Sequence, residues 1–263
     1  MGHPQIAAFA RLADGSTQAT RSIAGQNTLF SRTIHDMAYD PVRDEILVPG
    51  WYNLSILTFA AGADGDAAPV RQIMGPRTQI HNPQALAIDA VHGEIFVPQG
   101  RRVLVFDRDA DGDVAPLRTL EGPDTRLLGS PGRLTVDPVH DLLIVASRDE
   151  LLIFDRTASG NTPPLRVITG EAAAGVGLLT TNPESGMIFG VVRPGGRFEL
   201  EDYVAVWSVF DDGPTEPRWT IGGPNVLLKD VRGITLDVRN QNVIVSDKTH
   251  NAIFTFNVPE AFQ

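Results

Sequence analysis

The chain has 263 residues, of which 42% are apolar and 21% are charged, a composition typical of a globular protein. Its net charge of −10 predicts repulsion of phosphate backbones and argues against a nucleic-acid partner. The absence of cysteine excludes disulfides, thiol nucleophiles and thiolate metal ligands, and the apolar runs are too short to span a bilayer.

A seven-residue phrase, Pro-x-Arg-x-Ile-x-Gly, recurs along the chain. It is loose at residues 19–25 and clearer at four later places: 69–75, 116–122, 164–170 and 217–223. Its closing glycines are spaced by 50, 47, 48 and 52 residues, at Gly25, Gly75, Gly122, Gly170 and Gly222. Self-similarity at this period predicts a repeat array. Because the array covers nearly the whole chain, we predict a single domain over residues 1–263.

Each unit of the array contains four apolar stretches of strand length. In the second unit they are residues 85–88, 94–97, 102–106 and 117–120, rich in Val, Ile, Leu and Phe and bounded by turn residues. Four antiparallel strands per unit, repeated radially, predict a blade of a β-propeller. We label the strands A to D, counting outward from the axis.

The number of strands indicates the number of blades. Strands A, B and D each occur five times, and strand C occurs six times, from residues 6–9 to residues 252–256. We therefore predict an all-β propeller of five blades, with a sixth, incomplete blade as the alternative. The N-terminal strand is expected to complete the last blade, which would close the ring and remove an open sheet edge.

Two kinds of turn recur. Strand A ends in Asp or Asn, residues that bond their own backbone two residues further on. Strand C is followed by a turn such as Ala-Asp-Gly-Asp at residues 110–113. The acidic stretch 107–113 resembles the start of a calcium loop, but Arg118 stands where a bidentate Glu is needed, so a turn is favoured over calcium.

The D strands share an arginine. Because residues present in every blade are required by the blade, these side chains are predicted to be structural, with their stems on the outer sheet face and their charges in water. They are Arg21, Arg71, Arg118, Arg166 and Arg218.

The units resemble NHL-type repeats of bacterial propeller proteins. The resemblance rests on residues 82–89 (Asn-Pro-Gln-Ala-Leu-Ala-Ile-Asp), 93–97, 59–69 and 130–137, and it extends over the whole chain. It implies the propeller fold, although such proteins usually have six blades and the fourth unit here is irregular. Proteins of this type include binding modules, lyases and metal-dependent lactonases, so the resemblance implies no single function. It favours an extracytoplasmic location, although no signal segment opens the chain.

Propeller geometry places the D-to-A and B-to-C loops on one face, which we call the mouth face. Side chains that differ between blades on this face are candidate binding residues: Trp51, Tyr52, Gln84, Arg101, Arg133, Phe198, Arg232 and Lys248. Aromatic residues and arginine are enriched at the anchors of interfaces. With no nucleophilic triad in the sequence, the first hypothesis is a non-catalytic scaffold that recognises a protein or glycan at this face.

The second hypothesis is a metal-dependent lyase or hydrolase at the same face. His35, His81 and His250 are the candidate ligands for zinc or another divalent transition metal, with Asp36 or Asp247 to complete the set. Arg133 or Arg232 would hold an anionic substrate through the planar guanidinium group. The sequence favours no cofactor and predicts no oligomeric state, and both hypotheses stay open at this point.

Overall fold

The structure, a computed structural model, describes residues 4–128, 133–194, 201–223 and 225–263. The chain forms two compact units, which are larger than the repeats of the sequence. From here on, the first unit is residues 1–99 with 104–118 and the second unit is residues 100–103 with 119–263. A single domain over residues 1–263 therefore stays a prediction. Among the described residues, no helix is long and apolar enough to cross a membrane.

Short antiparallel strands make up the first half of the chain. A two-stranded sheet contains β1 (Ile6–Ala8) and β2 (Arg21–Ile23). The next sheet has the order β3 (Ala38–Asp40), β4 (Glu45–Gly50), β5 (Ser55–Ala60) and β6 (Arg71–Met74). The third has the order β7 (Ala87–Asp89), β8 (Glu94–Gln99), β9 (Arg102–Asp107) and β10 (Arg118–Glu121).

Three further sheets follow. The first contains β11 (Leu134–Asp137), β12 (Leu142–Ser147), β13 (Glu150–Asp155) and β14 (Arg166–Thr169). The short α-helix α1 (Glu171–Ala174) precedes β15 (Val176–Asn182), β16 (Met187–Val192) and β17 (Tyr203–Ser208). The short strand β18 (Gly213–Pro214) adds in parallel to β14, and β19 (Trp219–Ile221) completes the sheet of β15 to β17. The last sheet contains β20 (Val231–Asp237), β21 (Asn242–Asp247) and β22 (Ala252–Asn257).

This architecture is an all-β, five-bladed β-propeller of small, mainly antiparallel sheets, as predicted. The sixth C strand of the sequence is β1, which pairs with β2 in a sheet of their own. The last strand, β22, pairs with β21 in the described part of the chain. The prediction that the N-terminal strand completes the last blade is therefore not confirmed as a strand pairing.

The middle strands of a blade are apolar over most of their length because both faces of the sheet are covered. In the first unit, Ile56, Leu57 and Phe59 of β5 are fully buried. In the second unit, residues 151–154 of β13 are fully buried as well. The outer strands β6 and β14 are less buried, with one buried residue each, Ile73 and Ile168.

The acid at the end of strand A bonds its own turn, as predicted. Asp89 Oδ1 accepts the N–H groups of Val91 and His92, at 3.0 and 2.9 Å. Asp137 does the same for the turn of the third blade, at 3.1 and 3.0 Å. In both turns a histidine Nδ1 also lies 2.8 or 2.9 Å from the second oxygen of the buried carboxylate.

The repeated phrase and the Asp-Gly turn are two halves of one contact, which we call the interblade contact. A D strand meets the C-to-D turn of the next blade through a parallel bridge, at Ile23–Gly65, Ile73–Gly112, Leu120–Gly160 and Ile168–Gly213. At the second of these, Gly112 N–H donates to Gln72 O (2.8 Å) and Met74 N–H donates to Gly112 O (3.1 Å). The turn thus joins neighbouring blades as well as reversing the chain.

Acids of the same turn complete the interblade contact. Asp111 Oδ1 accepts Gln72 N–H at 2.9 Å, and Asp113 Oδ1 accepts Arg77 N–H at 2.7 Å. Asp64 and Asp66 make the equivalent bonds one blade earlier, at 2.9 and 2.7 Å. These carboxylates accept backbone N–H groups of the neighbouring blade, which accounts for an acid at each of these positions.

Four of the five D-strand arginines begin their strands, and each of these four side chains is hydrogen-bonded within the protein. Arg71 and Arg118 form bidentate pairs with Glu45 and Glu94 of the same blades. Arg21 and Arg166 donate to backbone carbonyls of the next blade. The fifth differs: Trp219 takes the register position of the arginine, and Arg218, one residue earlier, pairs with Asp211 at 2.5 Å.

Candidate binding site

The B-to-C loop of the first complete blade, residues 51–54, is held between two D-to-A loops of the first unit. Asn53 Nδ2 donates to Leu29 O at 3.0 Å on one side, and Asn82 Nδ2 donates to Trp51 O at 3.3 Å on the other. Gly50 lets the loop fold back tightly, since a Cβ at this position would lie 1.9 Å from Asn53 Oδ1. The predicted grouping of these loops on one face is thus seen within this unit.

The loop that leads into the third sheet is shaped by two buried polar side chains. Thr78 Oγ1 donates to Gly75 O (2.7 Å) and accepts Ile80 N–H (3.2 Å). Gln99, which is 5% exposed, accepts His81 N–H at 2.8 Å and donates to Gln79 O at 2.5 Å. These bonds hold residues 75–81 in one conformation, which a rigid binding surface requires.

A cleft of about 270 Å³ lies between these two loops, and we call it the loop cleft. Its lining residues are Asn53, Leu54, Met74, Gly75, Pro76, Gln79, Ile80 and His81. None of them carries a fixed charge, and Leu54 and Met74 are 39% and 44% exposed. An apolar lining with a few amide and imidazole groups suits an uncharged or apolar portion of a ligand.

Aromatic side chains lie on the loop that borders the cleft. The rings of His35 and Trp51 meet edge to face, with centroids 5.9 Å apart at 68°. His35 Nε2 also lies 3.3 Å from Thr33 Oγ1. Tyr52, beside Trp51 in the same loop, is 57% exposed. Exposed aromatic rings next to an apolar cleft are typical of a surface that contacts a partner.

Four predicted residues of the first unit lie on the two loops around the cleft, residues 51–54 and 75–86, and His81 lines the cleft itself. Trp51 and Tyr52 are on the first loop, and His81 and Gln84 are on the second, both histidine and glutamine being exposed at the surface. The predicted binding residue Phe198 lies outside the described residues. Sequence reasoning missed Leu54, Met74 and Ile80, because an isolated apolar residue in a loop gives no signal of its own.

The predicted residues of the second unit have structural partners of their own. Arg101 Nε donates to Leu127 O at 3.3 Å, and the Arg133 carbonyl accepts Ala146 N–H at 3.0 Å. Arg232 Nε lies 3.1 Å from Asp230 Oδ1. The ring of His250 meets Phe254 edge to face at 5.8 Å, and Lys248 is exposed.

The second unit also contains three buried carboxylates that the sequence did not single out as a group. Asp202, Asp230 and Asp247 are each at most 3% exposed. Asp202 Oδ2 accepts Val231 N–H at 2.8 Å, and Asp247 Oδ2 accepts the N–H groups of Lys229 and Asp230 at 2.7 and 2.9 Å. Arg193 Nε lies 3.7 Å from Asp202 Oδ2.

Two of these three carboxylates, Asp202 and Asp247, have pKa values shifted in opposite directions. Burial raises the pKa of Asp202, and the hydrogen bond from Val231 and the charge of Arg193 offset this only in part, since Asp230 and Asp247 oppose it. Burial also disfavours the charged form of Asp247, but backbone N–H bonds from Lys229, His250 and Asp230 outweigh it and lower the pKa. Hydrogen bonds to a carboxylate favour its ionised form.

We expect Asp202→Asn and Asp247→Asn to change the free energy of unfolding with opposite pH dependence. With a raised folded-state pKa, Asp202 binds protons more tightly in the folded state, so its contribution falls as pH rises through that pKa. The free energy of unfolding of Asp202→Asn, relative to that of the unaltered protein, should therefore be higher at about pH 7 than at about pH 3.5. For Asp247→Asn the same relative free energy should be lower at about pH 7 than at about pH 3.5. The contribution of Asp247 is present at neutral pH and is lost as pH falls through its lowered pKa.

Urea unfolding of both variants at the two pH values measures this difference. The same pH dependence for the two variants would contradict the opposite pKa shifts of Asp202 and Asp247. Asp202→Asn keeps an oxygen for the Val231 N–H group, so the backbone bond is matched in the comparison.

Among the described residues, no group of three or more His, Asp or Glu side chains is arranged to hold a metal ion. His35 and His250 instead pack against aromatic rings. The metal site built on His35, His81 and His250 stays a prediction without a supporting arrangement in either unit.

The fold is that of a β-propeller, an architecture that commonly serves as a binding scaffold, and the loop cleft is its candidate binding site in the first unit. No family model matches the chain, and no curated protein matches it. Solved structures that it resembles include hydrazine synthase from Kuenenia stuttgartiensis, with a TM-score of 0.60 and 12% identity over 81% of this chain and 55% of that one. The chain thus spans little more than half of that protein.

Two propellers of other proteins are similar as well. The β-propeller domain of Myceliophteria thermophila Cps50 (Swd1) has a TM-score of 0.58 and 13% identity, over 88% of this chain and 67% of that one. The WD40 β-propeller domain of Doa1 has a TM-score of 0.55 and 13% identity, over 87% and 70%. At this identity the likeness shows the fold alone.

Proposed function

We propose that this protein is a non-catalytic, NHL-like β-propeller scaffold that recognises a protein or glycan at its mouth face, with the loop cleft as the contact. The observation that carries the proposal is the cleft itself, which has no Asp, Glu, Lys or Arg in its lining, is partly apolar and is bordered by the loop of Trp51 and Tyr52. Propellers of many functions share one scaffold and differ in their loops, so loop chemistry is the relevant guide.

The physical basis of recognition is burial of the exposed apolar side chains of the cleft. Leu54 and Met74 present large unburied surfaces beside the buried Ile80. Methionine adapts its shape to different ligands, and aromatic rings such as Tyr52 supply contact area at low conformational cost. Asn53 and Gln79 add polar groups to the lining of the cleft, and such groups orient a bound molecule through hydrogen bonds.

The alternative of a metal-dependent lyase or hydrolase has less support. It needs ligands that converge on one point, and the described residues contain no such group. Metal analysis of the purified protein tests it directly: stoichiometric zinc, copper or iron that disappears in a His35→Ala, His81→Ala double variant would replace the scaffold proposal.

A panel of neutral oligosaccharides and a displayed peptide library, each screened against the purified protein, tests the binding proposal. We expect a ligand whose affinity falls about 10-fold or more in Leu54→Lys, because burial of one Leu side chain contributes about 1.5–3 kcal/mol. Tyr52→Ala should weaken the same ligand. The matched control is Val42→Lys, which alters a 64% exposed residue in an A-to-B turn of the same unit.

The control variant should bind like the unaltered protein, since Val42 lies in a turn at the opposite end of the strands. Ligands that bind equally well to Leu54→Lys, or a screen of both libraries without any ligand, would overturn the assignment of the loop cleft.

A further inference from the structure

The chain contains four Asp-Gly pairs, and each of them lies in a turn that follows a C strand. They are Asp14–Gly15, Asp64–Gly65, Asp111–Gly112 and Asp212–Gly213. An Asp-Gly pair is prone to isomerise, because glycine has no Cβ to keep its backbone nitrogen away from the neighbouring carboxyl group. The reactivity of each pair therefore depends on the groups to which its nitrogen and its carboxylate are bound.

In the later pairs, the interblade contact binds these groups to a D strand. Asp64 Oδ1 accepts Ser22 N–H at 2.9 Å, and Gly65 N–H donates to Ser22 O at 2.8 Å. The nitrogen and the carboxylate are thus each bound to the strand. The equivalent bonds of the other two pairs join Asp111 and Gly112 to Gln72, at 2.9 and 2.8 Å, and Asp212 to Val167, at 2.9 Å.

In the first pair, the same two groups are bound to each other. Gly15 N–H donates to Asp14 Oδ1 at 2.8 Å, a local bond that an Asp side chain forms readily at a turn. The backbone of the turn is not the cause of the difference, since the φ angles of Gly15 and Gly65 are 59° and 61°. Contact between two reacting groups promotes their reaction, and both residues are exposed to water.

We propose that Asp14–Gly15 is a site of spontaneous isomerisation to isoaspartate, and that the interblade contact protects the other three pairs from this reaction. The Gly15 nitrogen attacks Asp14 Cγ, and a bond between these two atoms forms. One carboxylate oxygen leaves as water, with the amide proton and a proton from the solvent, and a cyclic imide remains.

Water then opens the imide at either of its two carbonyl carbons. Addition at Cγ breaks the new bond and restores Asp14. Addition at the backbone carbonyl carbon breaks its bond to the Gly15 nitrogen, so that the chain continues through Cγ and the former backbone carbonyl becomes a carboxylate. Water is the only reactant besides the chain. The exposed turn between β1 and β2 thereby gains one backbone atom and a displaced charge.

Incubation of the folded protein at neutral pH, followed by tryptic digestion, tests the proposal. Residues 12–21 form one tryptic peptide and residues 109–118 form another, so the first pair and a protected pair are measured separately. Isoaspartate is detected by chromatographic separation of the peptide isomers and by the methyl groups that an isoaspartyl methyltransferase transfers. We expect isoaspartate at Asp14 to exceed that at each protected pair about 10-fold or more, because exposing a protected pair breaks two hydrogen bonds.

The same chain unfolded in urea is the internal control for the role of the fold. Without the interblade contact, all four pairs should form isoaspartate at similar rates. Equal isoaspartate at the four pairs of the folded protein would overturn the proposal. So would a folded protein whose Asp14 stays unaltered for as long as the unfolded chain needs to react.

A conservative substitution identifies the source of the signal. Asp14→Glu should remove most of the methyl acceptance of the folded protein, because the longer side chain would have to close a larger and less favourable ring. The matched control, Asp64→Glu, makes the same change in a protected pair and should leave the methyl acceptance unchanged. Methyl acceptance that persists in folded Asp14→Glu would show that the reactive site lies elsewhere.

Discussion

Replacement of Gly75 by alanine is expected to lower the free energy of unfolding by about 3 kcal/mol or more. The backbone of Gly75 has a φ of 135°, a conformation that residues with a Cβ rarely adopt. The new Cβ would also lie 2.5 Å from Asp113 Cγ. Relief of that overlap moves Asp113 away from the Arg77 N–H group, which it accepts at 2.7 Å.

The matched control for this substitution is Gly65→Ala in the same unit. Gly65 also has a positive φ, 61°, but no atom lies within 4 Å of its ideal Cβ position. The left-handed backbone alone costs about 1–2 kcal/mol for a residue with a side chain. Urea unfolding followed by tryptophan fluorescence measures both variants. Equal losses for the two would show that the contact with Asp113 adds nothing to the stability of the blade pair.

Replacement of Arg108 by alanine is expected to destabilise the protein by about 3–5 kcal/mol, because it leaves a buried carboxylate without its cation. Asp40 is fully buried at the end of β3, and Arg108 Nη1 lies 3.1 Å from its Oδ2 and 3.4 Å from its Oδ1. In the next blade, His92 Nδ1 of the same turn lies 2.8 Å from Asp89 Oδ2. Arg43 stands at that histidine position in the first blade and pairs with Asp109 instead.

Two further variants separate the buried pair from general effects of the substitution. Arg43→Ala breaks the exposed pair with Asp109, whose side chains are 49% and 54% exposed, and should cost less than about 1 kcal/mol. Asp40→Asn in the Arg108→Ala background should restore part of the loss, because the amide oxygen still accepts Val42 N–H without a charge. Chemical unfolding of the three variants tests this order. A loss in Arg108→Ala no larger than that in Arg43→Ala would contradict it.

These expectations separate scaffold from candidate site. Gly75 and Asp113 belong to a contact that recurs at other blade junctions. Leu54 and Tyr52, by contrast, belong to a loop whose sequence occurs once in the chain. Substitutions of the first kind should change stability in every assay, whereas substitutions of the second kind should change binding and leave unfolding nearly unaffected, since exposed side chains contribute little to stability.

The sequence predicted the candidate site in part. Trp51 and Tyr52 could be recognised as unusual residues in a repeated loop. The contact of Asn82 with the Trp51 carbonyl and the clamp of Gln99 on residues 79 and 81 could not, because they join residues 31, 18 and 20 positions apart. The buried group of Asp202, Asp230 and Asp247 was hidden for the same reason, since its members come from three separate segments.

By itself, the sequence determined the strand pattern, the five blades and the Asp turns after strand A, because these depend on residue periodicity and on bonds between near neighbours. Only the tertiary structure decided that the Asp-Gly turns join adjacent blades, that the D-strand arginines are hydrogen-bonded within the protein, and that Arg108 rather than Arg43 neutralises Asp40. The physical reason is that a hydrogen bond or ion pair between distant residues depends on the relative position of whole strands, which packing sets and which no local pattern encodes.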